Sequence, residues 1–119
     1  MNYKKKADKE VSKYYAGQPC AICGTTYMTC AHHIVQRTVA YYRHHPHNLI
    51  PLCPKHHKFG NDIAPHSNNP LAVEAFVKWL RTNRKSGYKC LKEYKKHLGE
   101  KVDYEQAYND WKVLNEDNT

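Results

Sequence analysis

The sequence predicts an α+β fold in which two short strands, tied by a structural metal knot, are flanked by helices. Three observations predict it. Residues 20–61 hold four of the five cysteines and seven of the nine histidines, a density no ordinary core requires. Inside that stretch residues 28–35 and 48–52 are short runs of β-branched, small and apolar residues, the second closed by a proline, and both read as strands. Beyond Asn69-Pro70 the apolar residues change to helical spacing, with Val73, Phe76, Val77 and Leu80 at i, i+3, i+4 and i+7.

In chain order, residues 1–18 read as a basic lead-in helix carrying Val11, Tyr14 and Tyr15, broken by Gly17-Gln18-Pro19 before the first cysteine. Residues 19–66 form the strand pair with its ligands, and Pro54 stands where a helix can start. Residues 69–116 are helical. The first of these helices has Asn69 as N-cap and Pro70 at its first position. A second is expected over 88–98, rich in lysine and stopped by Gly99. A third is expected from Asp103, with Gln106 completing a capping box and Ala107, Trp111 and Leu114 on one face.

The length of 119 residues suits a single domain with a modest core that a staple would help. At 40% hydrophobic and 25% charged residues, the composition excludes a disordered tail and a membrane protein. No stretch approaches the apolar length of a bilayer span, and the start, Met1-Asn2-Tyr3-Lys4-Lys5-Lys6, lacks a signal peptide's apolar run, so a cytoplasmic location is expected. The net charge of +8 is uneven: residues 1–99 carry +12 and residues 100–119 carry −4. A polyanionic partner suits the basic part.

Five cysteines without a secretory signal point to metal ligation rather than a disulfide framework. Cys20 and Cys23 enclose two residues, and so do Cys53 and His56. Two such pairs can converge on one tetrahedral zinc, because each reverses the chain within one turn while both side chains point inward. Four protein ligands leave no open position, so this Zn²⁺ is expected to be structural. Cys30 is a substitute ligand or, as the plainer reading, a small buried hydrophobe, and Cys90 is read in the same way.

His32, His33, Asn48 and His57 are not used by the knot and call for a second site. Neighbours on a plain strand point to opposite faces, so His32 and His33 share a centre only if the strand bends or ends there. The order Cys-x2-Cys, Ala31-His32-His33-Ile34-Val35, then His47-Asn48-Leu49-Ile50-Pro51-Leu52-Cys53-Pro54-Lys55-His56-His57 resembles an HNH nuclease with a Cys/His zinc finger, of the small stand-alone kind found in phages and prophages. The resemblance covers residues 20–61. It implies a ββα-metal core, an endonuclease activity on DNA phosphodiesters and a divalent catalytic metal, Mg²⁺, Mn²⁺ or Ni²⁺. It makes His33 the general base, Asn48 the residue that orients it, and His32 and His57 ligands of the catalytic metal. Asn61, one helical turn beyond His57, is a further candidate ligand. Because the second zinc pair is Cys-x2-His, His56 and His57 are adjacent and could exchange roles.

Arg37 and Arg43, between the strands, are placed to grip phosphates, or are ordinary surface arginines. His44, His45, His47 and His66 could reach the site through loops, whereas His97 reads as surface. The lysines over 89–96 could track DNA or form a solvated face. Double-stranded or branched DNA is the expected partner, with a homodimer and a protein docked on the acidic last helix as further readings. A non-catalytic zinc-binding nucleic-acid module is the alternative to the nuclease, and a zinc-stabilised protein-interaction domain the third reading.

Overall fold

The computed structural model describes residues 2–117; Met1, Asn118 and Thr119 lie outside the described residues. Helix α1 (Tyr3–Tyr15) starts at Asn2, whose Oδ1 accepts a hydrogen bond from the Lys5 backbone N–H at 3.1 Å. Its inward residues Ala7, Val11 and Tyr15 recur one turn apart and leave most of its lysines exposed.

Strand β1 (Cys30–His33) pairs antiparallel with β2 (Leu49–Leu52), with Cys30 opposite Leu52 and His33 opposite Leu49, and the one-turn helix α2 (Ala40–Arg43) lies between them in the chain. The strand is shorter than the 28–35 expected, because Met28 takes φ +49°, outside the extended region, and the pairing stops at His33. Every residue of β2 is buried, so the strand is packed on both faces. Leu49 joins Val11, Tyr15 and Trp111, whereas Ile50 and Leu52 join Cys20, Ile34, Cys53, Phe76 and Leu80. The hairpin therefore separates two cores, a helical one on the Leu49 side and a metal-ligand one on the Ile50 side. Cross-strand neighbours share a face. His32 accordingly belongs with Ile50 and His33 with Leu49.

After β2 the chain makes a single π-helical turn, Lys55–Phe59, where the sequence suggested a helix from Pro54. It ends at Gly60, which turns extended and sits so close over the Lys55 carbonyl that a side chain there would collide with it.

The first long helix after the hairpin is α3 (Pro70–Asn83), capped by Asn69, whose Oδ1 accepts from the Leu71 N–H at 3.0 Å. Its buried line is Ala72, Phe76 and Leu80, rotated from the expected stripe. Val77 is 37% exposed, because the helix turns Val73 and Val77 toward a cleft beside the histidines instead of into the core.

Helix α4 (Lys85–Glu93) begins three residues before the expected start and closes in a 3₁₀ turn over Tyr94–His97, with Gly99 at φ +76° ending the run. Gly87 on its buried side lies against Ile34, and a methyl there would come within 2.5 Å of Ile34 Cδ1.

Helix α5 (Tyr104–Asp117) packs on α1. Asp103 Oδ1 accepts from the Gln106 N–H at 3.0 Å, but the Gln106 side chain donates to Asp110, so only half of the capping box forms. Trp111 and Asn115 face inward and Leu114 is 40% exposed, again one step round from the expected face. Trp111 Nε1 donates to the His44 carbonyl at 2.9 Å and Asn115 Nδ2 to the Glu10 carbonyl at 2.8 Å. Among the described residues no helix is long and apolar enough to cross a membrane.

Trp111 is 3% exposed and touches both α1 and the loop after β1, so its loss removes a large apolar contact and a buried donor together. Trp111→Ala is expected to lower the unfolding free energy by about 3–5 kcal/mol, measured by urea denaturation of the purified protein.

Candidate metal centres

Two groups of side chains converge closely enough to chelate an ion, Cys20, Cys23, Cys53 and His56 in one and His32, His57 and His66 in the other, with the donor atoms of each within 4.8 Å of one another. In the first group the Cys23 and Cys53 sulfurs are 3.7 Å apart, and Cys53 Sγ lies 3.4 Å from His56 Nδ1. A tetrahedral zinc with Zn–S of about 2.3 Å has a sulfur–sulfur edge of roughly 3.8 Å, so the spacing fits such an ion without rearrangement. Backbone hydrogen bonds shape the knuckle: Cys20 N–H donates to the Thr25 carbonyl at 2.8 Å, Gly24 N–H to the Cys20 carbonyl at 2.8 Å, and His56 N–H to the Cys53 carbonyl at 3.1 Å. Cys20, Cys53 and His56 are buried and Cys23 is exposed, so one edge of the quartet meets solvent.

The second group is built from three separate pieces of chain. His32 comes from β1 on the Ile50 face, 3% exposed, with Phe76 of α3 edge-on at 5.5 Å. His57 comes from the π-turn directly after His56, so the turn sends consecutive imidazoles to different clusters. His66 comes from the loop before α3, which is drawn back by a hydrogen bond from the His66 N–H to the His57 carbonyl at 2.9 Å. The three rings lie 4.8–5.1 Å from one another, centre to centre. Burial and the neighbouring imidazoles hold His32 down to about 2, and burial with His66 and Lys58 holds His57 down to about 4. His66 is lowered too, by burial and Lys58. All three rings are thus neutral near pH 7 and carry the lone pairs that a metal requires. The group fits a divalent ion that accepts imidazole nitrogen.

Asn61 does not extend the turn that bears His57, since the chain leaves the helix at Gly60 and Asn61 stands exposed in a bend. Cys30 is exposed rather than buried, and its sulfur lies 3.8 Å from His57 Nδ1. Cys90 is buried, beside Val35 and Tyr42. His97 is half-buried, stacked on Tyr41 at 3.8 Å, instead of lying free on the surface.

The cleft in front of the three histidines has a volume of about 730 Å³. His33, Arg37, Lys58 and Val77 line it as well. His33 points away from the His32 face, and its Nε2 lies 3.1 Å from the Arg43 carbonyl oxygen. A carbonyl only accepts, so Nε2 carries the proton and Nδ1 is left with its lone pair. Burial pushes the His33 imidazole below its ordinary value, against an opposing contribution from that carbonyl.

Residues 43 and 44 are themselves fixed from outside the hairpin. Asp8 of α1 takes Arg43 Nε at 2.9 Å and Arg43 Nη2 at 2.6 Å, and His44 Nε2 at 2.7 Å. This occupies the guanidinium that the sequence offered as a phosphate grip, whereas Arg37 is exposed at the cleft. Asn48, fully buried, ties the loop between the strands: its Nδ2 donates to the Val35 and Tyr42 carbonyls at 3.0 and 2.9 Å, and its Oδ1 accepts from the Val35 N–H at 2.6 Å. It holds the backbone on either side of the His33 contact and touches no ring of the cleft. Of the loop histidines, His66 alone enters the metal group; His44 is turned into the fold and His47 N–H donates to His45 Nδ1.

Comparison with protein-family models, with curated proteins and with solved structures finds no match for this chain. What the geometry defines is a small α+β fold with an antiparallel hairpin and two clusters of different donor chemistry, each able to chelate a metal ion.

Replacing Cys53 by Ser is expected to abolish metal binding at the quartet and remove most of the helical circular dichroism, since a structural ion such as zinc in a small fold supplies on the order of 10 kcal/mol; metal analysis and far-ultraviolet spectra report both. A second expectation concerns Asp8. Burial alone would raise its carboxyl, but the hydrogen bonds and charges of Arg43 and His44 outweigh this and hold it below the ordinary 3.8. A depressed carboxylate contributes stability above its unfolded value and loses it as the pH falls through its folded value. Asp8→Asn should therefore cost about 1–2 kcal/mol at pH 7 after allowance for partial exposure, and the gap from wild type should close below pH 3.8 in parallel urea titrations.

Proposed function

We propose that this chain is a metal-binding module that works on nucleic acid, and that its chemistry is phosphodiester hydrolysis of the HNH type. The observation that carries the reading is the placement of His33. Although it leaves β1 on the face opposite to His32, His33 lines the same cleft as His32, His57 and His66, and with its Nε2–H on a backbone carbonyl Nδ1 is the nitrogen left to take a proton. An imidazole set this way is equipped to receive the proton of a water molecule attacking phosphorus.

His32, His57 and His66 would hold the catalytic ion. When bound, a divalent metal polarises a phosphate oxygen and stabilises charge that develops on the ester. Three nitrogen donors favour Zn²⁺, Ni²⁺ or Mn²⁺ over Mg²⁺, which prefers oxygen ligands and keeps several waters. Arg37 and Lys58 line the cleft and supply positive charge for the phosphodiester, and Asn48 keeps the loop that presents the Arg43 carbonyl to His33. The Cys₃His quartet holds the base of the π-turn, so that His57 faces His32.

A second reading is a zinc-binding module that binds nucleic acid without cutting it. Two observations favour it: both clusters are explained by metal binding alone, and Arg43 is paired with Asp8 instead of being open to phosphate.

The deciding experiment is plasmid nicking by zinc-loaded protein with added Mn²⁺, Ni²⁺ or Mg²⁺, wild type against His33→Ala. The expected result is metal-dependent nicking that falls by about 10²–10⁴-fold in the variant, with zinc content and circular dichroism unchanged. If neither protein nicks any form of DNA while both bind it in a salt-sensitive manner, hydrolysis is ruled out and the binding module stands.

A further inference from the structure

Helix α4 carries a row of cations that neither metal cluster uses. Lys85, Lys89, Lys92 and Lys96 follow one another at four, three and four residues, which puts them on one side of the helix and its closing turn. The row covers roughly 16–18 Å of axis. All four are exposed, and Arg81 at the end of α3 completes the same groove. Among the described residues Glu93 is the one acid lining that groove, and its carboxylate is 3.9 Å from Lys96. Elsewhere the balance differs: the acidic C-terminal helix lies against α1, so its carboxylates accompany the N-terminal lysines and leave α4 uncompensated.

The groove and the histidine cleft are separate depressions, and helices α3 and α4 each contribute side chains to both. On α3, Val73 and Val77 line the cleft and Arg81 follows one turn after Val77. On α4, Leu91 lines the cleft, and Tyr88 stands between Leu91 and the lysine row around the helix. A polyanion long enough to leave the cleft over α3 and α4 would reach the row on the same two helices. The row is regularly spaced along the helix, and its one aromatic ring among the described residues, Tyr88, has Lys92 over it, 5.7 Å from its centre. Single strands are held largely by stacking platforms, whereas duplex backbones are held by fixed cations, so the surface fits a duplex better.

We propose that the α3–α4 groove is the docking surface for double-stranded DNA, with the phosphates of one strand along Lys85, Lys89, Lys92 and Lys96 as they leave the histidine cleft. The inference rests on the nucleic-acid reading above and adds to it the form of the substrate and its direction across the protein.

The test is a fluorescence-anisotropy titration of a labelled 20-base-pair duplex against zinc-loaded protein, without added divalent metal, at several salt concentrations. A variant with all four lysines changed to Gln is compared with one losing equal charge elsewhere, Lys5, Lys9, Lys13 and Lys101 to Gln. Each phosphate contact contributes about 0.9 to the slope of log K against log salt. The groove variant is expected to bind about tenfold or more weakly at 0.1 M salt, with a slope about 3 units shallower, while the control stays near wild type. Lys89→Gln with Lys92→Gln gives about half the effect and serves if the fourfold variant fails to keep its zinc.

Equal weakening in both variants, or no change in the groove variant, overturns the proposal. So does tighter binding by the wild type to a single strand of the same length, or to phosphatidylserine vesicles, than to the duplex. Because the titration reads binding without cutting, a protein that binds through the groove but never nicks leaves this inference standing and removes only the nuclease. A protein that nicks through His33 yet ignores the groove lysines does the reverse.

Discussion

One turn of chain has to supply ligands to two separate clusters at once, and the rest of the arrangement follows from that constraint. Cys53, His56 and His57 lie within five residues, with His56 directed to three sulfurs and His57 to two imidazoles. A wider turn than the α-helix, ended abruptly at Gly60, makes the two directions compatible. The Cys₃His quartet is a closed and partly buried set of soft donors. The three histidines open on a cleft, and the contrast separates a metal that would hold the chain together from one that a ligand could reach.

The hairpin turns this local constraint into a division of labour. Because β2 is buried on both sides, adjacent histidines on β1 are sent into different surroundings, His32 toward Phe76 and the metal group and His33 toward the Arg43 carbonyl. The helices around it then act on one face each. Helix α3 backs the ligands with Phe76, while α1 and α5 fix residues 43 and 44 through Asp8 and Trp111. His44 illustrates the chemistry of that support: burial lowers its imidazole more than Asp8 raises it, and its Nε2 still lies 2.7 Å from the carboxylate.

Much of this was legible in the sequence because it is written in short-range chemistry. The Cys20/Cys23 and Cys53/His56 spacings, the Asn69-Pro70 start of α3 and the Asp103 start of α5 each depend on residues a few positions apart, and the structure has them together. Features that depend on long-range docking were not legible. His66 is brought to His57 by a backbone hydrogen bond across a loop of no periodicity, and no spacing rule announces it. Arg43 looked free because its partner Asp8 lies thirty-five residues away on a helix that reads as a basic lead-in. The inward faces of α3 and α5 were each misjudged by a small rotation: Val77 and Leu114 are apolar yet exposed, and Ala72 and Asn115 are small or polar yet buried. Hydrophobic period gives the helix, but the partner it packs on chooses the face.

The hydrogen bond from Trp111 to the His44 carbonyl has a consequence for the order in which the protein comes into being. Both metal clusters are complete in the chain by residue 66, so a nascent polypeptide can gather its ions well before synthesis reaches the last helix. The backbone beside the His33 contact, already tied by Asn48 and Asp8, gains a further tie only once residue 111, sixty-seven positions after His44, has been made. A chain cut short before the last helix would thus keep every candidate ligand and lose the tie that the indole makes beside Arg43.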